Sequence, residues 1–307
     1  MPYFSVIIPI YNKENFIEST LKSVLNQSFP DFELILVNDG STDQSEAKIK
    51  QFSDERIRYY AIENGGASQA RNFGIEKAEA PFITFIDADD FWYPNFLEEM
   101  AAAIARFPDK LIFSAGIEVE TQKVVFPAQY SIEKLADLEV VNYFDASLKT
   151  TVICTSCAVF HNSVFEKVGY FDTTIRSGQD TDMWIRMGLE YPVVFSWKIL
   201  ARYVYDPNSL SKKREYLNQK MNFSKFETAE KTNPKLKKFI DLNLFSFAIR
   251  AKLINDKENF ALYYQKMDRK KLSLKKQILL ELPRIVLQFL VQFDLLLVNL
   301  KLRNSAF

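Results

Sequence analysis

Histidine is almost absent from this chain of 307 residues, which contains only His161. Catalytic zinc sites commonly take two or three imidazoles, so the scarcity excludes that class of metal site. A histidine general base is also disfavoured, and acid–base chemistry is expected to depend on carboxylates.

Cysteine is nearly as scarce, with Cys154 and Cys157 inside one apolar segment. Their C-x-x-C spacing is compatible with a redox pair. The surrounding valine, isoleucine and phenylalanine residues favour instead a buried strand in which cysteine serves as a small apolar residue. Two thiols and one distant imidazole cannot complete a structural zinc site, and a reducing compartment fits this composition.

Glycine and proline, 8 and 11 residues, leave little room for long flexible linkers. No G-x-G-x-x-G occurs, which disfavours a dinucleotide-dependent oxidoreductase. The segment after the first predicted strand, Pro9–Asn12, is not a glycine-rich phosphate loop, which disfavours a sugar nucleotidyltransferase. Formal net charge is zero, so no nucleic-acid partner is indicated.

Charge is unevenly distributed along the chain. From Arg250 to Phe307 there are twelve Lys/Arg against five Asp/Glu. Within this end, Leu274–Arg303 has polar residues at helical spacing among Leu, Ile, Val and Phe, which predicts one amphipathic helix. Charges and Pro283 interrupt it, so a transmembrane span is not expected. Two interpretations stay open: packing on the rest of the protein, or lying in a membrane interface with lysines toward anionic headgroups.

Short apolar runs alternate with amphipathic stretches in the first part of the chain, which predicts an α/β fold with a mostly parallel sheet. After about residue 110 the pattern changes to mixed strands and loops, with a helix near Asp180–Glu190. From about residue 215 it is helical. We expect an α/β domain over residues 1–214 and a helical region over 215–307. The predicted strands are Phe4–Ile8, Glu33–Asn38, Ile57–Ile62 and Phe82–Ile86, and the predicted helices between them are Glu14–Asn26, Asp43–Phe52 and Ser68–Lys77. The N-terminus leads directly into the first strand, so we expect no cleaved signal peptide.

Three acids follow the apolar segment Phe82–Ile86. In an extended chain residues i and i+2 point the same way, so Asp87 and Asp89 are expected to face a common ligand. Paired carboxylates at a strand end suit Mg²⁺ or Mn²⁺ shared with phosphate oxygens. The alternative is an acidic loop that caps the helix starting near Pro94, a role that suits Asp90.

Acidic or glycine-containing loops also follow the other predicted strands. Asp39 lies close to the second strand end, where a carboxylate can accept a hydrogen bond from a nucleobase or ribose; Asp43 suits a helix N-cap. Arg71 lies one turn into the helix after Gly65-Gly66, within reach of a phosphate or an acid. Later, Asp180 and Asp182 compete for a place at a helix N-terminus, where one of them is expected to be structural.

These loops, in this order, resemble glycosyltransferase family 2, whose fold is GT-A. The matching segments are Val6–Asn12, Asn38–Asp43, Gly65–Asn72, Asp87–Asp90 and Gln179–Asp180. The resemblance covers roughly residues 3–211. It implies a nucleotide-sugar half over about 1–110 and an acceptor half over about 111–214.

The resemblance implies a role for each matched residue. Asp89 is implied to bind the metal, Mn²⁺ or Mg²⁺, and Asp87 to contact the ribose or the metal. Asp180 matches the acid that deprotonates the acceptor hydroxyl. The remaining matched residues, Pro9, Tyr11, Asp39 and Arg71, are implied to hold the nucleotide.

The implied reaction is inverting transfer from a nucleotide sugar, by resemblance a UDP-sugar, to a glycan or lipid-linked acceptor in surface polysaccharide or glycolipid synthesis. The Gln-x-x-Arg-Trp signature of processive members is absent, so a single sugar is expected per encounter. We expect a cytoplasmic protein, either free or peripheral on the inner face of the membrane through residues 274–303.

Two segments depart from the family pattern. Gln179 stands where the family usually has Glu, and Tyr203–Asp206 replaces a common Tyr-Arg-x-His. The second departure keeps an alternative open, in which the chain is a non-catalytic nucleotide-sugar-binding or membrane-anchored partner protein on the same fold.

Overall fold

The computed structural model describes residues 1–206 and 221–299. The chain divides into two compact units, Met1–Ala146 with Thr151–Met221, and Ser147–Thr150 with Asn222–Phe307. The expected boundary at residue 214 lies outside the described residues.

The first part of unit one is a parallel sheet in the order β3-β2-β1-β4. Its central strands are apolar and almost fully buried, as expected for parallel strands covered by helices on both faces. These elements are β1 (Phe4–Ile10), α1 (Ile17–Leu25), β2 (Phe32–Asp39), α2 (Ser45–Ile49), β3 (Ile57–Ile62), α3 (Ala67–Lys77) and β4 (Phe82–Phe85).

The sheet continues through the rest of unit one as β4-β9-β6-β10-β5. Strand β9 is antiparallel to β4 and β6, whereas β10 runs parallel to β6. These elements are β5 (Phe91–Trp92), α4 (Phe96–Arg106), β6 (Ile112–Glu120), β7 (Val125–Pro127), β8 (Leu138–Val141), α5 (Tyr143–Ala146), β9 (Ala158–His161), α6 (Ser163–Val168), α7 (Gln179–Glu190) and β10 (Val193–Tyr203). Cys154 and Cys157 are not within a strand, because a 3-10 turn over Thr155–Cys157 precedes β9.

The second unit is helical over its described residues from 222 onward. Asn233 caps its longest helix by accepting hydrogen bonds from Lys235 N and Leu236 N, both at 3.1 Å, with Pro234 in the first turn. The helices are α8 (Glu227–Thr232), α9 (Pro234–Leu253), α10 (Lys257–Lys266), α11 (Leu274–Glu281) and α12 (Arg284–Asn299).

The single helix predicted over Leu274–Arg303 is two helices. Pro283 separates α11 from α12, because proline lacks an N–H and restricts the residue before it to extended conformations. The part of the prediction beyond residue 299 lies outside the described residues. Within the described ranges, no helix combines the length and apolar character needed to cross a bilayer.

Candidate active site

The carboxyl ends of β1 and β2 carry loops that are tied to each other. Asn12 adopts a left-handed φ of 52° and accepts a hydrogen bond from Thr42 N at 2.8 Å. Asp43, which the sequence suggested as a helix N-cap, lies two residues before α2 and accepts from Glu14 N at 3.0 Å. The two loops therefore form one connected edge, which carries Tyr11 with 42% of its surface exposed. Pro9 lies in β1, beside Val37.

Asp39, the last residue of β2, organises the glycine loop. It is buried, and its carboxylate accepts hydrogen bonds from Gly65 N at 2.8 Å and Gly66 N at 2.9 Å. Burial raises the pKa of Asp39, and these backbone bonds oppose that rise. Gly66 has a φ of 92°, a left-handed value that a side chain would strain. Asp39 thus holds the loop that leads into α3.

Arg71 on α3 forms an ion pair with Asp87 after β4. Its Nη2 is 2.6 Å from Asp87 Oδ1, and the guanidinium lies over the Phe171 ring at 5.5 Å. Arg71 is only 4% exposed, and its Nε and Nη1 have no hydrogen-bond partner among the described residues. A buried guanidinium with unused donors fits an anionic ligand such as a phosphate.

Asp89 has a different cationic partner. The Lys13 Nζ lies 2.5 Å from Asp89 Oδ2 and 2.5 Å from Asp206 Oδ2. Burial raises the pKa of Asp89, and the lysine charge opposes that rise. Burial alone would lower the pKa of Lys13, but the two carboxylates raise it above its usual value.

Lys13 and Asp206 were not among the sequence candidates. A signal for Asp206 was present, because it occupies the histidine position of the Tyr-Arg-x-His pattern. Lys13 follows the matched segment Val6–Asn12 directly, and no feature of the sequence distinguished it from other lysines.

The carboxylates of Asp89 and Asp206 supply some of the ligands that a divalent cation needs. Both direct an oxygen toward one positive charge, and carboxylate oxygens are the preferred ligands of Mg²⁺ and Mn²⁺. Within residues 1–206 and 221–299, no group of three or more His, Cys, Asp or Glu side chains is arranged to hold a metal ion. Such an ion would therefore need further ligands from phosphate oxygens and water.

Asp90 is not the cap of the following helix, because Asn95 precedes α4 and Asp90 is buried. Its carboxylate accepts hydrogen bonds from Ser156 Oγ at 2.6 Å and Val204 N at 3.0 Å. Burial, followed by the charges of Asp87 and Asp89, raises its pKa well above the usual value. Asp90 thus joins the end of β4 to the segments before β9 and after β10.

Asp180 and Asp182 differ clearly at the start of α7. Asp182 is fully buried and pairs with Arg186 Nε at 3.1 Å, and Arg186 also donates to Tyr170 O at 2.8 Å. Asp180 is half-buried and accepts a local hydrogen bond from Thr181 N at 2.8 Å. No cation of the described residues forms an ion pair with Asp180. Asp182 is thus engaged in an ion pair within α7, whereas the Asp180 carboxylate is half-buried and not ion-paired among the described residues.

Hydrogen bonds join the segment before α7 to the α3 region. Asn72 accepts from Phe171 N at 2.9 Å and donates to Phe171 O at 2.8 Å. Arg176 Nη1 donates to Gly65 O at 3.0 Å. The segment that leads to Asp180 therefore lies beside the glycine loop that Asp39 holds.

The sequence profile described as "Glycosyl transferase family 2" matches residues 5–169, more than half of the chain. The chain belongs to glycosyl transferase family 2. An uncharacterized glycosyltransferase of Rickettsia typhi is 31% identical over 208 residues, which cover 66% of this chain and 63% of that protein. TuaG of Bacillus subtilis, whose name places it in teichuronic acid biosynthesis, is 32% identical over 191 residues, or 61% of this chain and 72% of TuaG. The chain thus spans less than two thirds of the Rickettsia relative's length.

The fold agrees with this family assignment. The structure of S. aureus TarS 1-349 in complex with UDP-GlcNAc superposes with a TM-score of 0.59 and 19% identity, covering 86% of this chain and 92% of that chain. The α/β architecture is that of GT-A glycosyltransferases, which confirms the predicted fold class.

Proposed function

We propose that this family 2 protein transfers a single sugar, with inversion, from a UDP-sugar to a hydroxyl of a glycan or lipid-linked acceptor in cell-surface polysaccharide or glycolipid synthesis. The observation that carries the proposal is Arg71, buried against Asp87 with two unused donors at the carboxyl edge of the sheet. Ligands of open α/β sheets bind at that edge.

The donor would bind across the loops after β1, β2 and β4. The exposed ring of Tyr11 can stack on a base, and Pro9 and Asp39 complete the nucleotide side. Arg71 would contact the diphosphate through its unused donors, Nε and Nη1. Solved TarS structures contain UDP and UDP-GlcNAc, which supports a uridine nucleotide for a protein of the same fold.

Asp89 would be the metal ligand, with Asp87 beside it. A bound Mn²⁺ or Mg²⁺ would neutralise negative charge on the departing diphosphate. Asp206 also directs a carboxylate oxygen to the place where Asp89 meets a cation. The ion pair with Arg71 would hold the Asp87 carboxylate in position whether or not a metal ion is bound.

Asp180 would act as the general base. The acceptor oxygen forms a bond to the anomeric carbon on the face opposite the diphosphate, whose bond to that carbon breaks. The acceptor proton passes to the Asp180 carboxylate, and the nucleoside diphosphate leaves. Asp180 suits this role because it is half-buried and forms no ion pair with a described residue.

The acceptor is proposed to bind to the region of residues 111–214. The region of residues 215–307 is proposed to contact the membrane at the cytoplasmic face through its last helix. The outward side of α12 is apolar and exposed at Ile285, Phe289 and Phe293. Lys270, Lys271 and Lys275 in the same unit are also exposed. Aromatic and aliphatic side chains beside lysines suit an anionic bilayer surface.

The test of the base is Asp180→Asn. Purified protein is given UDP-, GDP- and dTDP-sugars with Mn²⁺ or Mg²⁺, and nucleotide release and acceptor glycosylation are measured. We expect Asp180→Asn to lower kcat by about 10²–10⁴-fold, with donor affinity within about twofold of wild type. Asp31→Asn, at an exposed acid without a side-chain partner in the described part of the chain, is the control.

Normal transfer by Asp180→Asn would show that the base assignment is wrong. Donor binding by the wild type without transfer to any acceptor of a glycan and lipid-linked panel would support the alternative, a non-catalytic binding protein. The departure at Tyr203–Asp206 is the feature that favours this alternative.

A further inference from the structure

Lys13 occupies the position between two acids that face each other across the site. Its Nζ lies 2.5 Å from both Asp89 Oδ2 and Asp206 Oδ2. Both acids are shielded, with 16% and 5% of their side chains exposed, and the lysine side chain is 20% exposed. These distances are within a few tenths of an ångström of those at which oxygen ligands hold Mg²⁺, about 2.1 Å.

The backbone of Lys13 is fixed in this place. Lys13 N donates to Ser45 Oγ at 2.8 Å, and the left-handed Asn12 before it turns the chain. The side chain therefore reaches the acids from an anchored loop. Its proximity is a property of the folded site rather than a chance contact of a free surface lysine.

The ammonium of Lys13 lies between the carboxylates of Asp89 and Asp206. A divalent ion would compensate both carboxylates. The ammonium and such an ion cannot occupy the same point, since each needs the same two oxygens.

We propose that the Lys13 ammonium is an internal occupant of the divalent-cation position between Asp89 and Asp206, and that a metal ion binds only as Lys13 leaves. The Phe16 ring, 5.6 Å from the ammonium, offers a nearby surface for the released cation. The inference rests on the proposed metal-dependent function, and it makes Lys13 a residue that sets metal affinity.

The test is Mn²⁺ binding without turnover, measured by the loss of the free Mn²⁺ paramagnetic resonance signal with and without UDP. Lys13→Met keeps the length of the side chain and removes the competing charge, so it should bind Mn²⁺ at least tenfold more tightly than wild type. Lys13→Arg keeps a cation and should stay much closer to wild type. Lys22→Met removes an exposed lysine of the same unit and should change nothing.

Asp206→Asn provides the second arm. Loss of one carboxylate ligand should weaken Mn²⁺ binding at least tenfold, both in the wild-type background and in Lys13→Met. Lys13→Gln, which also removes the charge, replaces Lys13→Met if thermal unfolding shows that the methionine variant is misfolded.

Equal or weaker Mn²⁺ binding by both neutral variants would overturn the inference. If the wild type nevertheless binds Mn²⁺ and transfers sugar, the proposed function stands and only the role of Lys13 is rejected. Failure of every variant and of the wild type to bind Mn²⁺, even with UDP, would reject both this inference and the metal dependence.

Discussion

At the scale of single residues, the three acids after β4 have three different surroundings. Asp87 pairs with Arg71, Asp89 with Lys13, and Asp90 accepts hydrogen bonds from Ser156 and Val204. The sequence could predict acids at the end of this strand, because an apolar run followed by Asp87–Asp90 is a local pattern. It could not predict their partners.

The contact between Lys13 and Asp206 shows why. These residues are 193 positions apart, and they meet because the segments that follow β1 and β10 leave the same edge of the sheet. Strand order is set by the whole sheet and not by any local spacing. The role of Asp90 could not be predicted from the sequence for the same reason, because its partners come from the segments before β9 and after β10.

Asp90→Asn should make the folded state more stable at neutral pH. Burial raises the folded-state pKa of Asp90 above the unfolded value of about 4. Its contribution to the free energy of unfolding is therefore fully present below about pH 4 and is lost as pH rises through the folded pKa. The amide oxygen of the Asp90→Asn variant can accept from Val204 N, and its NH2 can donate to Ser156 Oγ with that bond reversed. Because the amide does not ionise, we expect the variant to be more stable than wild type at pH 7.

Urea unfolding in EDTA, from pH 4 to pH 8, measures this difference, which should shrink as pH falls. Asp90→Ala should instead destabilise the protein by about 1–3 kcal/mol, because Ser156 Oγ and Val204 N lose their acceptor. An Asp90→Asn variant less stable than wild type at every pH would contradict the prediction.

At the scale of elements, local patterns predicted the first strands well. Ile57–Ile62 was predicted with the observed bounds, and Phe4–Ile10 and Phe32–Asp39 extend the predictions by one or two residues at their ends. These strands are nearly continuous apolar runs between turn residues, which is a strong local signal. The last helix was predicted less well, because its apolar periodicity continues across Pro283 while the backbone cannot.

Asn72 is the element-scale link between α3 and the segment before α7. Asn72→Asp would place a carboxylate oxygen against Phe171 O in place of the amide donor. We expect a loss of about 1–3 kcal/mol in the free energy of unfolding. Asp180 lies on the segment that Asn72 positions. If transfer depends on this link, kcat should therefore fall at least tenfold, while donor affinity should stay within about threefold of wild type.

Denaturant unfolding, donor titration and transfer rates measure these three effects. Gln51→Glu makes the same amide-to-acid change at an exposed position and serves as the control. A destabilised Asn72→Asp variant with an unchanged kcat would mean that the link supports the fold but not the position of Asp180.

At the scale of the whole molecule, positive charge is concentrated near the C-terminal end. The stretch Arg250–Phe307 has seven more basic than acidic residues, although the chain is neutral overall. The sequence left open whether its last helix packs on the protein or lies on a membrane. The described part of α12 has one side that packs on the protein and one side that is exposed. On the packed side Leu287 and Asp294 are buried, and Gln288 donates to Leu253 O of α9 at 3.4 Å.

The opposite side of α12 should then bind an anionic bilayer. Ile285, Phe289 and Phe293 are 79%, 65% and 49% exposed, and their spacing of four residues places them along one stripe. Transfer of one phenylalanine side chain out of water is worth about 1.5–3 kcal/mol. Phe289→Glu with Phe293→Glu should therefore reduce binding to vesicles of 30% phosphatidylglycerol in phosphatidylcholine by about a hundredfold or more.

Cosedimentation of the full chain with these vesicles measures the effect, and Leu135→Glu, at a leucine that is 85% exposed in the other unit, is the matched control. Vesicles of phosphatidylcholine alone should bind the wild type at least tenfold more weakly, since each lysine near an anionic surface contributes about 1 kcal/mol. Binding that the double variant retains, or that is the same on neutral vesicles, would contradict a membrane role for this stripe. Self-association of the wild type that is lost in the double variant would instead identify this stripe as a contact with a second copy of this chain.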